Sequence, residues 1–142
     1  MSKNIVGVFF DFFGTLIDSR YTLTNIWSRI AKRLGVEISY DDSRIWEGIR
    51  NQEEEYIRLG KFYGDITEDQ RFVLNSLVLD AMGVERKGFK EVISEEFDRE
   101  FSTTGSTFRF YPGCRETLEK IHAINIKIGL LSHELFSPLF PD

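Results

Sequence analysis

One cysteine and two histidines stand in 142 residues, and that scarcity excludes whole classes of site. Cys114 has no partner for an internal disulfide, and no second Cys or His lies at zinc-ligand spacing. Metal sites built on sulfur are therefore out, and a reducing cytoplasm is the simplest location. No basic block offsets the formal net charge of −5, which argues against nucleic acid as a general partner. No apolar run is long enough to span a membrane, and the one near the N-terminus stops at Asp11, where a signal peptide would offer small residues for cleavage. Neither an internal repeat nor a low-complexity tract is evident.

What is present is apolar and aromatic: 42% hydrophobic residues, 14% aromatic, with 13 Phe, enough for one globular domain with a real core. The run Ile5 to Phe10 reads as a strand buried on both faces. Asp11 follows at its carboxyl edge, where open α/β sheets place their working residues, and Gly14 lets the next turn pass close to a ligand.

From there the pattern is helical for some ninety residues. Leu23, Ile26, Trp27, Ile30, Ala31 and Leu34 share a face that stops at Gly35. Asp41-Asp42-Ser43 offers an N-cap to a long helix ending at Gly60, whose polar middle, Asn51 to Glu55, predicts a segment partly lifted off its neighbours, with Glu53-Glu54-Glu55 solvated. Thr67 to Gln70 has capping-box spacing, and the stripe Val73, Leu74, Leu77, Val78 and Ala81 closes at Gly83. Phe89, Val92, Ile93, Phe97 and Phe101 form a fourth stripe, and the four helices would bury their faces as a bundle. Trp27, Trp46 and Tyr56 either line a pocket or belong to this core. Pro112 suits the first turn of a fifth helix stopped by Asn125, and Ile126 to Leu131 reads as a second buried strand.

Asp11-Phe12-Phe13-Gly14-Thr15-Leu16 after a hydrophobic strand, with Tyr111-Pro112-Gly113 leading into an apolar strand that ends at Ser132, resembles the first two motifs of the haloacid dehalogenase-like hydrolase superfamily. The resemblance implies an α/β fold: a partial Rossmann-like core, residues 1–16 and 106–142, with an all-helical cap, residues 17–105, inserted after the first strand. The order is similar to that of the haloacid dehalogenase, phosphonatase and phosphoglycolate phosphatase branches, whose caps exclude water and select a small-molecule substrate.

By this resemblance Asp11 is a nucleophile that forms a covalent ester; from the residues alone, an Asp here also serves as a turn cap. In phosphatase members the residue two places on is a second Asp that protonates the leaving group. Here it is Phe13, which cannot, and that general acid is worth about a hundredfold to ten-thousandfold. The 2-haloacid dehalogenase branch carries a bulky aromatic at this position, where a departing halide needs neither proton nor metal. Both chemistries stay open. For the phosphatase reading, Mg²⁺ would be held by the Asp11 carboxylate and the Phe13 backbone carbonyl. Thr15 and the backbone N–H groups around Gly14 would bind an anion, and Ser132 would hydrogen-bond a phosphoryl or carboxylate oxygen.

His133 and Glu134 stand where relatives often show Asn and Gly. The family's third-motif Lys and fourth-motif Asp residues come on later strands, and this chain stops about ten residues after Ser132, as if truncated after the second motif. Two expectations follow. The chain is a hydrolase of a small phosphorylated or halogenated metabolite with an incomplete catalytic set, or an inactive interaction module. In either case the uncovered strand edges predict a homo-oligomer.

Overall fold

The structure, a computed structural model, describes residues 5–61, 65–102 and 108–131. Along them run β1 (Gly7–Phe10), α1 (Ser19–Arg33), α2 (Ser43–Leu59), α3 (Glu68–Met82), α4 (Phe89–Phe101), α5 (Cys114–Ala123) and β2 (Lys127–Leu130). This is an α/β order, mostly helical, with a two-stranded parallel sheet among the described residues. The chain separates into two compact units: one runs through Thr22 and resumes at Phe108, and the other opens at Leu23 and holds α2, α3 and α4.

In the first unit, β1 and β2 pair in parallel with Gly7 opposite Lys127 and Phe10 opposite Leu130. Gly129 lies under the ring of Phe9; a Cβ there would stand 2.5 Å from Phe9 Cε1, so a side chain at 129 would displace the ring. The expectation of strands buried on both faces fails. Val6 is 76% exposed, Phe9 67% and Leu130 54%. A parallel pair needs cover on both faces, and among the described residues α5 is the element that packs against β2. Pro112 also lies outside its expected helix. Gly113, at φ 81°, turns the chain before α5 begins at Cys114. Asn125 ends that helix as expected, adopting φ 59°, a left-handed conformation Asn tolerates.

In the second unit the helix ends follow their local chemistry. Asp42 accepts the Arg44 N–H at 2.9 Å and caps α2; the Arg44 side chain and N–H hold the Asp42 carboxyl down at about 2. Thr67 and Gln70 form the reciprocal capping box of α3. Gly60 and Gly83 close α2 and α3 in left-handed conformations. Ile26, Trp27, Ile30, Ile45, Val78, Leu79, Met82 and Phe97 form the buried centre. Trp27 meets Phe97 edge-to-face at 6.0 Å, so it belongs to the core, and Trp46 packs against it.

Three packing details differ from the periodicity. The middle of α2 is tied to α3, since Gln52 Nε2 donates to Asn75 Oδ1 at 3.0 Å and Gly48 sits against Val78. The buried side of α3 is Leu74, Asn75, Val78, Leu79 and Met82, with Val73 49% exposed. α4 also buries two carboxylates. Glu96 and Glu100 meet Arg29 at 2.7 and 2.8 Å, and Arg33 reaches Glu96 at 3.1 Å, so the burial of charge is answered by charge. Glu53 and Glu54 are exposed as expected. No described helix is long and apolar enough to cross a membrane.

Candidate active site

Asp11 is the first residue past β1, at the carboxyl end of a parallel strand. The loop beyond it curls onto itself. The Phe12 carbonyl accepts N–H bonds from Leu16 at 2.9 Å and Ile17 at 3.0 Å, and the Gly14 N–H donates to the Ile17 carbonyl at 2.9 Å. This turn needs φ 76° at residue 14, which glycine adopts at little cost. It brings Thr15 back to Asp11, and the Thr15 hydroxyl donates to Asp11 Oδ2 at 3.1 Å. Asp11 is exposed. One carboxylate oxygen is thus held while the other accepts no hydrogen bond from the described residues.

A second strand of chain steadies the loop from outside. Tyr111 N–H donates to the Leu16 carbonyl at 3.0 Å, and Asp18 N–H to the Arg109 carbonyl at 2.8 Å. The Asp18 carboxylate accepts the Tyr21 N–H at 3.0 Å, capping α1, and pairs with Arg109 Nη2 at 3.0 Å. The Arg109 guanidinium lies 4.1 Å from the centre of the Tyr21 ring, within cation–π range. Cys114 Sγ approaches the Thr15 carbonyl at 3.7 Å. Phe13 is half-buried in an edge-to-face trio, 5.0 Å from Phe12 and 5.7 Å from Phe108.

Asp11, Phe13, Gly14 and Thr15 therefore sit on one loop, with Thr15 bonded to Asp11. Ser132, His133 and Glu134 lie outside the described residues. The N–H groups of Gly14, Leu16 and Ile17 already bond loop carbonyls, and the Thr15 hydroxyl hydrogen goes to Asp11, so these donors expected to meet an anion are committed within the loop. Sequence reasoning missed Asp18 and Arg109. An Asp-Ser pair ahead of a helical pattern is an N-cap signal, but the apolar face from Leu23 to Leu34 gave no start for the helix, which begins at Ser19. Nothing local marks Arg109 as its partner.

Mg²⁺ prefers six oxygens in octahedral array. No group of three or more His, Cys, Asp or Glu able to hold a metal ion occurs among the described residues; Asp11 and the Phe13 carbonyl would supply only part of such a set.

The arrangement defines an α/β protein with a tethered carboxylate at the carboxyl end of a parallel strand. The family model for haloacid dehalogenase-like hydrolases matches residues 5–136, and the chain belongs to that hydrolase family. No curated protein and no solved structure matches it.

Proposed function

We propose that the chain hydrolyses a small phosphorylated or halogenated metabolite through an ester on Asp11, with residues 17–105 as an all-helical cap inserted in a partial Rossmann-like core. The observation that carries this is the exposed Asp11 carboxylate, with Oδ2 fixed by Thr15 and Oδ1 left to attack. Attack on carbon or phosphorus breaks the bond to the leaving group, which departs with the electron pair. Water then opens the ester, at the Asp11 carbonyl carbon if the ester is to carbon, or at phosphorus if it is an acyl phosphate. The alcohol or phosphate is released and a proton goes to solvent.

Phe13 shapes the substrate. With no proton donor at that position, the leaving group must be stable as an anion, as a halide or the alkoxide of an acidic alcohol is. The test is a single turnover in H₂¹⁸O with 2-chloropropionate and with p-nitrophenyl phosphate. A carbon ester puts the label into the Asp11 peptide; a phosphoryl ester puts it into phosphate. Asp11→Asn should remove either activity. Background rates with both substrates, unchanged by Asp11→Asn, would overturn the reading.

A second reading rests on Val6, Phe9, Leu130 and Leu131, the last 64% exposed: a second copy of the chain covers these strands. A compact monomer in light scattering at micromolar concentration would refute it.

A further inference from the structure

Away from the Asp11 loop, the second unit carries a groove of about 370 Å³ between α3 and α4. Its floor is apolar: Phe72 and Phe89 meet with ring centres 4.9 Å apart, beside Ile93. Its charged groups are Arg71, Lys90 and Glu68, beside the neutral Asn75 and Ser94, and the two cations differ in how they are answered. Lys90 pairs with Glu68 at 3.3 Å on the rim and lies 5.2 Å over the Phe72 ring. Arg71 lines the groove, and its Nε is shut off from water with no hydrogen-bond partner. Its guanidinium has no carboxylate within ion-pair distance among the described residues.

A buried N–H left unpaired is costly, and native structures rarely keep one without a reason, although the rest of the half-buried Arg71 side chain reaches solvent. Arg71 has flexible torsions, so an oxyanion entering the groove would let the guanidinium swing to meet it. Lys90 is balanced by Glu68, so among the described residues the groove has one uncompensated positive charge and suits a monoanion. Phosphate dianion would meet the Glu68 carboxylate. The two rings and Ile93 would hold an apolar body, which a free inorganic anion lacks.

We propose that the α3–α4 groove binds a small organic carboxylate, its head on Arg71 and its aromatic or branched body on Phe72, Phe89 and Ile93. This site is independent of the hydrolase reading, because the Asp11→Asn chain retains it.

The test uses the full ¹⁵N-labelled chain carrying Asp11→Asn, titrated with phenylacetate. Saturating shifts should gather on α3 and α4 with a Kd on the order of 1–10 mM, the range set by about ten heavy atoms. Neutral 2-phenylethanol, of like shape, should bind at least about tenfold more weakly, since the charge-assisted bond is lost. Arg71→Leu should weaken phenylacetate to the same degree, and Arg71→Lys should recover part of it.

Equal binding of 2-phenylethanol, inorganic phosphate binding as tightly as phenylacetate, shifts gathered elsewhere, or no saturation by 30 mM would each overturn the proposal. If Arg71→Leu does not fold, the comparison of phenylacetate with 2-phenylethanol on the parent chain still decides it.

Discussion

Gly48 sets how closely α2 approaches α3, and Gly48→Ala tests it with opposing effects of known size. A Cβ at 48 would stand 2.7 Å from Val78 Cα and 3.1 Å from both Val78 Cγ1 and Ala81 Cβ. The nearest atom belongs to the α3 backbone, so relief requires the two helices to move apart by several tenths of an ångström. Overpacking of this kind costs about 1–3 kcal/mol. Against it, Ala in place of Gly within a helix gains about 1 kcal/mol. The steric term should win because Val78 is fully buried and its backbone is held by helix hydrogen bonds. The expected net is a loss of about 1 kcal/mol, or ~4 °C in Tm for a chain of this size. Urea denaturation at pH 7 followed by circular dichroism measures it. Adding Val78→Ala should not restore stability, because the contact with Val78 Cα remains. A urea midpoint equal to or above that of the parent would show that helix propensity wins and that α2 and α3 do not approach this closely.

The Arg29–Glu96–Glu100 cluster predicts a pH dependence. Burial alone would raise the Glu96 carboxyl; hydrogen bonds from Arg29 and Arg33 outweigh it, and the group sits below its ordinary value of 4.5. Its stabilisation is therefore complete above that value and is lost as pH falls through the lower folded-state pKa. Urea midpoints from pH 7 to pH 3 should drop more steeply in the parent than in Glu96→Gln, and parallel curves would contradict this. Asp18→Ala should cost about 1 kcal/mol through the lost cap of α1, read as faster hydrogen exchange at Tyr21, whose N–H the carboxylate accepts; unchanged exchange there would show that the cap is not formed in solution. Thr15→Val should lower turnover more than substrate affinity, because it frees the Asp11 carboxylate to rotate; an unchanged kcat would remove Thr15 from that role.

Where the chain's signals are local, they are legible from the residues. Asp42, the Thr67–Gln70 box, Gly60 and Gly83 mark helix ends through contacts made within a few residues. Asp11, Gly14 and Thr15 also share one short loop, but their proposed roles come from the resemblance to the family and not from local pattern. The face of α3 is not legible, because Phe72, Val73, Leu74, Leu77, Val78, Leu79 and Met82 leave little polar contrast around the helix. Asn75 points inward because Gln52 meets it, and Glu96 and Glu100 because Arg29 does. Those partners lie 23, 67 and 71 positions away, where periodicity carries no information. Arg109 and Asp18, 91 positions apart, are the same case beside the site.

Under the proposed function, the loop after β1 separates placement of the carboxylate from proton supply. Placement of the carboxylate depends on the turn at Gly14 and the bond from Thr15. On the proposed chemistry proton supply would fall to residue 13, where the chain has a ring packed on Phe12 and Phe108. Restoring an acid there by Phe13→Asp would remove the shared ring of that trio, at a cost of about 3–5 kcal/mol if it behaves as a core Phe truncation, and less since Phe13 is only half-buried. If Phe13 fixes the leaving-group requirement, the variant that folds should gain most on esters of weakly acidic alcohols and little on p-nitrophenyl phosphate, whose leaving group needs no proton. An equal gain on both would place the limit on turnover elsewhere than at residue 13.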